Sequence, residues 1–233
     1  MSARRRGAAA RWGVVGALVA VLTALPALIA ALPVRDAGIP ASQLRAAVLA
    51  SDSVGFSGYA QSVGGLSLPV TDQLTSVADL LSDRTTMRVW WRGKDDARVD
   101  VVTPTGETGV RWDAEHIWTW EYEEATATWA HPRPLALPAP PDLLPSSLAR
   151  RLLSESGDAE LSRLGPQRVA GRDAMGLRMV PAEPASSVAS VDVWADAGSG
   201  LALRVRVTGT DGQVALDSRF LDVDLVRPTA EVT

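Results

Sequence analysis

Apolar and polar residues alternate through most of the chain, with the two-residue period of β-strands. In the clearest example, Leu203 and Val205 point to one side of a strand, and Arg204 and Arg206 point to the other. Short turn sequences such as Gly93–Asp96 separate these runs. The pattern predicts about nine to eleven antiparallel strands, which is more than one flat sheet with a solvated face holds comfortably. A curved sheet wrapped around helices is therefore expected.

Three segments instead have the spacing of an amphipathic helix. The first places Leu44 and Val48 on one face and has Ser42 as a candidate N-cap. The second covers residues 72–81, and the third covers residues 146–154. The predicted fold is therefore mainly β (α+β). It is a curved antiparallel half-barrel wrapped around two or three short helices and preceded by one N-terminal hydrophobic helix.

An uncharged apolar run at residues 12–34 is preceded by four arginines and closed by Arg35 and Asp36. A helix over these roughly 23 residues rises about 34 Å, which is enough to cross a bilayer. As a signal anchor, it would keep the arginines inside and place the body of the chain outside the cytoplasm. The alternative is a cleaved signal peptide, with residues 12–25 as its apolar core and the cut within residues 27–31. Both interpretations export the rest of the chain.

These features divide the chain into five segments. We expect a single-pass membrane protein with its C-terminal domain outside the cytoplasm, or a secreted protein if the N-terminal segment is cleaved. The segments are a basic cytoplasmic N-terminus (1–11), the signal anchor or signal peptide (12–34), a linker (35–41), the half-barrel domain (42–226) and a C-terminal tail (227–233).

Charge and residue types argue against several classes of function. The net charge is −4, and it becomes −8 without the four N-terminal arginines, so nucleic acid is a poor partner. The chain has no cysteine, and its two histidines, His116 and His131, are not at metal-ligand spacing. It contains no nucleophile elbow, phosphate-binding loop or dinucleotide-binding motif. We therefore expect no catalytic residues, no metal and no cofactor.

Tryptophan is unusually frequent, with eight tryptophans beside two phenylalanines and two tyrosines. Most of the tryptophans lie between residues 90 and 129. Trp90 and Trp91 must point to opposite faces of their strand. Three interpretations stay open. The tryptophans could form a packed sheet core, an apolar wall for acyl chains, where each buried methylene contributes about 0.8 kcal/mol, or an exposed row that stacks on sugar rings.

Several short motifs carry a resemblance to a known family through their order and spacing between about residues 42 and 226. They are Gly55–Tyr59, Met87–Trp91, Ala97–Asp100, His116–Tyr122, Val169–Ala174 and Val191–Arg204. Together they resemble the superfamily of periplasmic lipoprotein carriers, which includes the N-terminal domain of RseB/MucB and the actinobacterial LppX-type proteins.

The resemblance implies an incomplete, highly curved antiparallel barrel with helices in its mouth and an apolar cavity for lipid or lipoprotein acyl chains. Lipid or lipoprotein binding outside the cytoplasm is therefore the first functional hypothesis. The alternative is an envelope-stress regulator of RseB/MucB type, which binds a membrane anti-sigma factor, and a glycan-binding module is a third hypothesis. LppX-type proteins are themselves lipoproteins, whereas this chain has no cysteine to acylate. An anchor would therefore have to be the N-terminal helix.

The residues expected to line the cavity are apolar or aromatic side chains of predicted strands. They are Phe56, Tyr59, Trp91, Trp118, Trp120, Tyr122, Leu203 and Val205. The expected partners are lipid or lipoprotein acyl chains, the membrane through the N-terminal helix, and a membrane protein in the regulator alternative. Nucleic acid is not expected as a partner.

Overall fold

The computed structural model describes residues 12–24, 33–65, 84–103, 106–131 and 139–233. The chain forms two compact units, which are residues 1–35 and residues 36–233. In the first unit, residues 12–24 form helix α1. The sheet and the other helices belong to the second unit.

The predicted membrane segment is described only in part, because residues 25–32 lie outside the described ranges. Across the ranges that are described, no helix combines the length and the apolarity needed to span a bilayer. The signal anchor and the signal peptide both stay predictions. The predicted basic N-terminus (1–11) and the predicted helix at 72–81 also lie outside the described residues.

One open antiparallel sheet of eleven strands makes up most of the second unit, which confirms the mainly β prediction. The strands are β1 (Phe56–Gly64), β2 (Arg84–Gly93), β3 (Asp96–Thr103), β4 (Gly106–Trp112), β5 (Ile117–Glu121), β6 (Thr126–Ala130), β7 (Leu161–Val169), β8 (Arg172–Met179), β9 (Val188–Asp196), β10 (Ala202–Gly209) and β11 (Val214–Asp224).

The strand order is β6-β5-β4-β3-β2-β1-β11-β10-β9-β8-β7. Each half of the sheet is therefore a meander in which consecutive strands are neighbours. The two meanders join at the centre, where the first strand pairs with the last and Ala60 lies opposite Phe220. The outermost strands of the sheet are β6 and β7.

Among the described residues of the second unit, one helix precedes the first strand and another lies between the two meanders in sequence. They are α2 (Ala41–Leu49) and α3 (Pro145–Ser154), accompanied by 3-10 turns at Ala50–Ser53, Pro140–Leu143 and Asp158–Glu160. The prediction of Ser42 as the N-cap is wrong, because α2 begins at Ala41 and Pro40 is its N-cap residue. Its first turn follows Pro40, whose carbonyl oxygen accepts the Leu44 N–H at 2.9 Å, and no side chain caps the helix. Ser42 therefore lies inside the first turn rather than before it.

One face of the sheet packs against α2, α3 and their 3-10 turns, and we call it the inner face. Two hydrogen bonds tie the helical layer to it. Trp91 Nε1 donates to the Asp52 carbonyl oxygen at 3.0 Å, and Ser218 Oγ donates to the Leu143 carbonyl oxygen. This face forms the hydrophobic core. Its buried strand residues include Met87, Val89, Val99, Val193, Val207 and Phe220.

The opposite face, which we call the outer face, carries a row of alternating charges on the C-terminal meander. Arg178, Asp192, Arg206 and Asp217 lie opposite one another on β8, β9, β10 and β11. Arg178 donates two hydrogen bonds to Asp192, at 2.6 and 2.7 Å. Asp217 accepts hydrogen bonds from Arg206 and, at 2.9 and 2.6 Å, from two nitrogens of Arg204. Opposite charges that face each other across strands stabilise this pairing.

The Asp217 carboxyl makes the stability of the fold depend on pH. Burial raises its pKa, but the hydrogen bonds and charges of Arg204 and Arg206 outweigh burial, so the pKa lies below its usual value. A carboxyl whose pKa is lowered by folding contributes stability above its unfolded pKa, which is about 3.9. That contribution is lost as the pH falls through the lower pKa of the folded state.

We therefore expect Asp217→Asn to be less stable than the wild type at neutral pH, with a difference that shrinks as the pH falls below about 4. The reason is that the Asp217 carboxyl of the wild type loses its charge at such a pH, whereas the asparagine of the variant has no charge to lose. Urea unfolding at a series of pH values measures both free energies. A difference that stayed constant from neutral to acidic pH would contradict this role of Asp217.

Candidate functional site

Four of the predicted cavity residues lie on the inner face and are buried in the core. Phe56, Trp91, Leu203 and Val205 are between 0 and 4% exposed. The Phe56 ring stacks on Trp91, with ring centroids 5.9 Å apart, and contacts Phe220 edge-on at 5.4 Å. These four side chains therefore pack against the protein's own side chains.

Trp91 is 4% exposed and is held by several neighbours of the same chain. Its ring contacts Trp112 edge-on, with centroids 5.6 Å apart, and the guanidinium of Arg150 lies 5.3 Å from its centroid. Arg150 is largely buried, and this burial lowers its pKa, which the charge of Asp52 partly offsets. The Arg150 cation is thus placed between the α3 layer and an aromatic face, which is a favourable position for a guanidinium.

The other four predicted residues lie on the outer face, so the set does not line one cavity. Tyr59, Trp118, Trp120 and Tyr122 are between 39 and 45% exposed. Pairing across the strands places Trp118 opposite Arg111 on β4, and Arg111 opposite Arg98 on β3. Trp90 is the next residue of this row, whereas Trp91 is in the core. The prediction that Trp90 and Trp91 face opposite ways is confirmed.

Three of the outer-face aromatic residues surround a groove of about 400 Å³, which we call the aromatic groove. Gly109 lies in the groove between Asp100 on β3 and Trp120 on β5. A Cβ at Gly109 would lie 3.0 Å from Asp100 Oδ1 and 3.6 Å from the Tyr122 ring. The groove is lined by Arg98, Gly109, Arg111, Trp118, Trp120, Tyr122, Glu231, Val232 and Thr233.

Arg98 holds a fixed guanidinium group in the aromatic groove, and its charge is paired with that of Asp100. Its guanidinium donates two hydrogen bonds, both at 2.8 Å, to the two oxygens of the buried Asp100 carboxylate. These hydrogen bonds raise the pKa of Arg98. Arg98 also donates to the Tyr122 hydroxyl at 3.0 Å and lies over the Trp90 ring, 5.2 Å from its centroid. The position of this cation is therefore set by three neighbours, which are Asp100, Tyr122 and Trp90.

Arg111 adds a second positive charge that is less constrained. It is exposed, and among the described residues its guanidinium takes part in no salt bridge. Its charge contributes to lowering the pKa of Asp113, although the larger causes are hydrogen bonds that Asp113 accepts from the N–H groups of Glu115 and His116. Arg111 is thus available to a ligand in the groove.

Beyond one end of the groove, both histidines pack among exposed tryptophans. The His116 ring lies 5.3 Å from those of Trp129 and His131, measured between centroids. His131 Nδ1 lies 3.0 Å from the Glu115 carbonyl oxygen. Across the described residues, no group of three His, Cys, Asp or Glu side chains is arranged to hold a metal ion. The cluster continues the aromatic surface along β5 and β6.

A second groove, of about 410 Å³, lies where β9, β10 and β11 meet the turn around Asp211. Its apolar lining comes from Val188, Val207, Val214 and Ala215, and its polar lining includes Thr210. None of the predicted cavity residues lines it. It differs from the aromatic groove in having neither an aromatic ring nor an arginine in its lining.

Sequence analysis did not identify Arg98, Arg111 or the tail residues as parts of the groove. A signal for the arginines exists, because alternation puts them on the same face as Trp118 once the strand pairing is known. Glu231, Val232 and Thr233 carry no such signal, since their position depends on where the chain turns after β11.

A family model describing the MucB/RseB N-terminal domain matches residues 126–232. The chain resembles the MucB/RseB family. The matched residues run from β6 to the tail, so they include Glu231 and Val232 of the aromatic groove but not Trp118 or Trp120. No curated protein is similar enough in sequence to count as a match.

Solved structures show the same MucB-like fold. A chain of the Pseudomonas aeruginosa MucA/MucB complex matches with a TM-score of 0.53 and 18% identity, over 82% of this chain and 59% of that one. A structure of MucB in complex with MucA(peri) matches with a TM-score of 0.52 and 17% identity, over 82% and 58%. This chain thus spans less than two thirds of the length of those chains. A LolA superfamily protein from Nitrosomonas europaea matches at 0.33 and 9% identity, over 83% and 97%, a score too low to establish a common fold.

Proposed function

We propose that this chain is an extracytoplasmic binding protein of MucB/RseB type that acts by binding a segment of a partner protein. It binds and does not catalyse. The observation that carries the proposal is the aromatic groove, which lies open on the outer face and already contacts a polypeptide segment, Glu231–Thr233. MucB itself has been crystallised in complex with MucA.

The composition of the aromatic groove supports a protein partner. Tryptophan, tyrosine and arginine are enriched at protein interfaces and supply most of the residues that dominate binding energy. Trp118, Trp120 and Tyr122 are each about two fifths exposed, although burial would be favourable for such large rings. Exposed apolar patches of this kind often mark interaction sites.

The predicted N-terminal segment supports a location of this groove outside the cytoplasm. If residues 12–34 anchor the chain, the domain stays near the membrane surface, where it meets the extracytoplasmic parts of membrane proteins. The partner is then such a membrane protein, as in the regulator alternative. A tethered domain can bind it without travelling between membranes.

The test is photo-crosslinking in cells that make the full chain, with a benzophenone amino acid in place of Trp118 or Trp120. We expect a discrete covalent adduct with one membrane protein from both positions. Val180 is the matched control, because it is a similarly exposed apolar residue of the same domain that lies outside the groove. Equal labelling from Val180, or no protein adduct from either groove position, would contradict the proposal.

Lipid binding is a second candidate, which the apolar groove at Val188, Val207 and Val214 favours. A pocket lined by aliphatic side chains suits an acyl chain, because each buried methylene contributes about 0.8 kcal/mol without directional demands. The same crosslinking experiment separates the candidates when the probe replaces Val188. Lipid adducts from that position, without protein adducts from Trp118, would make lipid the ligand.

A further inference from the structure

The tail of the chain crosses the outer face on its way to the aromatic groove. After β11, Arg227 packs directly on Gly55, where a Cβ would lie 2.6 Å from the Arg227 Cβ. Arg92 on β2 then donates a hydrogen bond from Nη1 to the Pro228 carbonyl oxygen at 2.8 Å. A turn follows, in which Val232 N–H donates to the Thr229 carbonyl oxygen. These contacts lead residues 231–233 into the groove.

Once inside, the tail fills part of the groove but fits it imperfectly. Thr233 is 4% exposed, and within the described part of the chain its buried hydroxyl has no hydrogen-bond partner. A buried polar group without a partner weakens the contact that buries it. Val232 lines the groove and is still 40% exposed. A segment of similar shape without the hydroxyl should therefore bind better.

The charges of groove and tail are complementary. Glu231 lines the same groove as the guanidinium groups of Arg98 and Arg111. Arg98 is largely neutralised by Asp100, so Arg111 is the cation left for an acidic residue. The groove thus combines the charge of Arg111 with aromatic surfaces for small aliphatic side chains.

We propose that the aromatic groove is a peptide site for a partner segment with an acidic residue followed by aliphatic side chains, and that Glu231–Thr233 occupy it until such a segment displaces them. The identity of the partner as a protein rests on the proposed function, whereas the occupation by the tail does not. The tail thereby lowers the apparent affinity of the groove for a partner segment, because that segment must displace a tethered competitor.

The size of this reduction in affinity follows from tethering. A segment joined by a short linker acts at an effective concentration of about millimolar, so even weak intrinsic affinity keeps it bound. A free segment of equal affinity then binds the full chain about tenfold more weakly than a chain without the tail. This difference is the measurable signature of the tail.

The experiment uses a fluorescein-labelled peptide of residues 227–233 and fluorescence anisotropy, with the full chain and with a shortened chain that ends at Pro228. We expect the peptide to bind the shortened chain about tenfold more tightly than the full chain. Trp118→Ala in the shortened chain should weaken binding about tenfold, because buried aromatic anchors dominate such sites. Tyr59→Ala is the control, since Tyr59 is equally exposed on the same face but outside the groove.

Two altered peptides test the chemistry of the site. A peptide with Thr233→Val should bind about fivefold more tightly, because it loses the unpartnered hydroxyl and keeps the shape. A peptide with Glu231→Lys should bind about fivefold more weakly at low salt, and the difference should fall as salt screens the arginines. Arg111→Ala in the chain should remove most of this charge dependence, whereas Arg88→Ala, outside the groove, should not.

Equal peptide affinity of the full and shortened chains, or binding that Trp118→Ala leaves unchanged, overturns the proposal. Binding of a soluble chitin oligomer in place of the peptide, weakened by Trp118→Ala, would make the groove a glycan site and also overturn it. Failure of the proposed function looks different, because the peptide would still bind the shortened chain while crosslinking from Trp118 found no membrane protein.

Discussion

Phe56→Ala is expected to lower the free energy of unfolding by about 3 to 5 kcal/mol, which is the usual loss when a buried aromatic residue is truncated. Phe56 is fully buried at the centre of the sheet, between the rings of Trp91 and Phe220. Alanine would leave a cavity that these rings and the helical layer cannot close without moving. Equilibrium unfolding in urea or guanidinium chloride measures the change.

Tyr59→Ala is the matched control for this prediction, because Tyr59 lies three residues along the same strand but on the outer face. We expect a loss below about 1 kcal/mol, as for most partly exposed residues. Comparable losses from the two substitutions would mean that Phe56 does not lie in a packed core. Such a result would favour an unfilled hollow behind β1 and would strengthen the lipid-binding candidate.

Arg204→Met should cost about 2 to 4 kcal/mol, because it leaves the partly buried Asp217 carboxylate with only the longer contact to Arg206. Arg204 is itself 9% exposed and donates hydrogen bonds to both oxygens of Asp217. It also lies over the Trp194 ring and donates to Gln167 Oε1 on β7. Methionine keeps much of the length and apolar stem but none of these hydrogen bonds. Chemical denaturation at neutral pH gives the difference.

Arg206→Met provides the comparison, since Arg206 is on the same strand and face and also contacts Asp217. Its side chain is more exposed, and its single contact is longer, at 3.3 Å. A loss below about 1 kcal/mol is expected for such a pair. If Arg206→Met were as damaging as Arg204→Met, burial of the charge would not be the source of the effect.

Alternation was enough to predict most strands because their inner faces are apolar and their outer faces are charged. β10 is the clearest case, since Val205 and Val207 lie in the core while Arg206 joins the outer charge row. A shift of one residue would place the arginines in the core, so the sequence specifies the pairing strongly. The turn at Gly93–Asp96 likewise marked the β2–β3 hairpin.

Strand β7 was not predicted, because its sequence lacks the signals of a strand. Gly165 and Pro166 interrupt it, and the pairing with β8 shifts between Leu164 and Gln167. A proline is tolerated there because β7 is the outermost strand of the sheet. Tertiary contacts hold the irregular segment in place, among them the hydrogen bond from Trp194 Nε1 to the Gly165 carbonyl oxygen at 3.1 Å.

Only part of the candidate site, Trp118, Trp120 and Tyr122, was predictable from the sequence, and the side of the sheet on which it lies was not. Alternation places Trp118 and Trp120 on one face of β5 and Ile117 on the other. Both faces therefore carry apolar residues, and the pattern alone does not show which face is buried. Which face is buried depends on where α2 and α3 pack, and that packing involves residues far away in sequence. The contacts of Trp91 with Asp52 and Arg150 show that the helical layer covers the face that carries Trp91.

The central position of the β1–β11 pair determines the order in which this sheet can be completed. Every other pair of neighbouring strands is consecutive in sequence, so each meander can form from local contacts. The join instead closes a loop of about 160 residues between Ala60 and Phe220, and it carries the largest loop-closure entropy of the fold. Because synthesis starts at the N-terminus, one side of β1 has unpaired backbone groups until β11 has been made. That interval is when the molecule is most vulnerable to edge-to-edge aggregation.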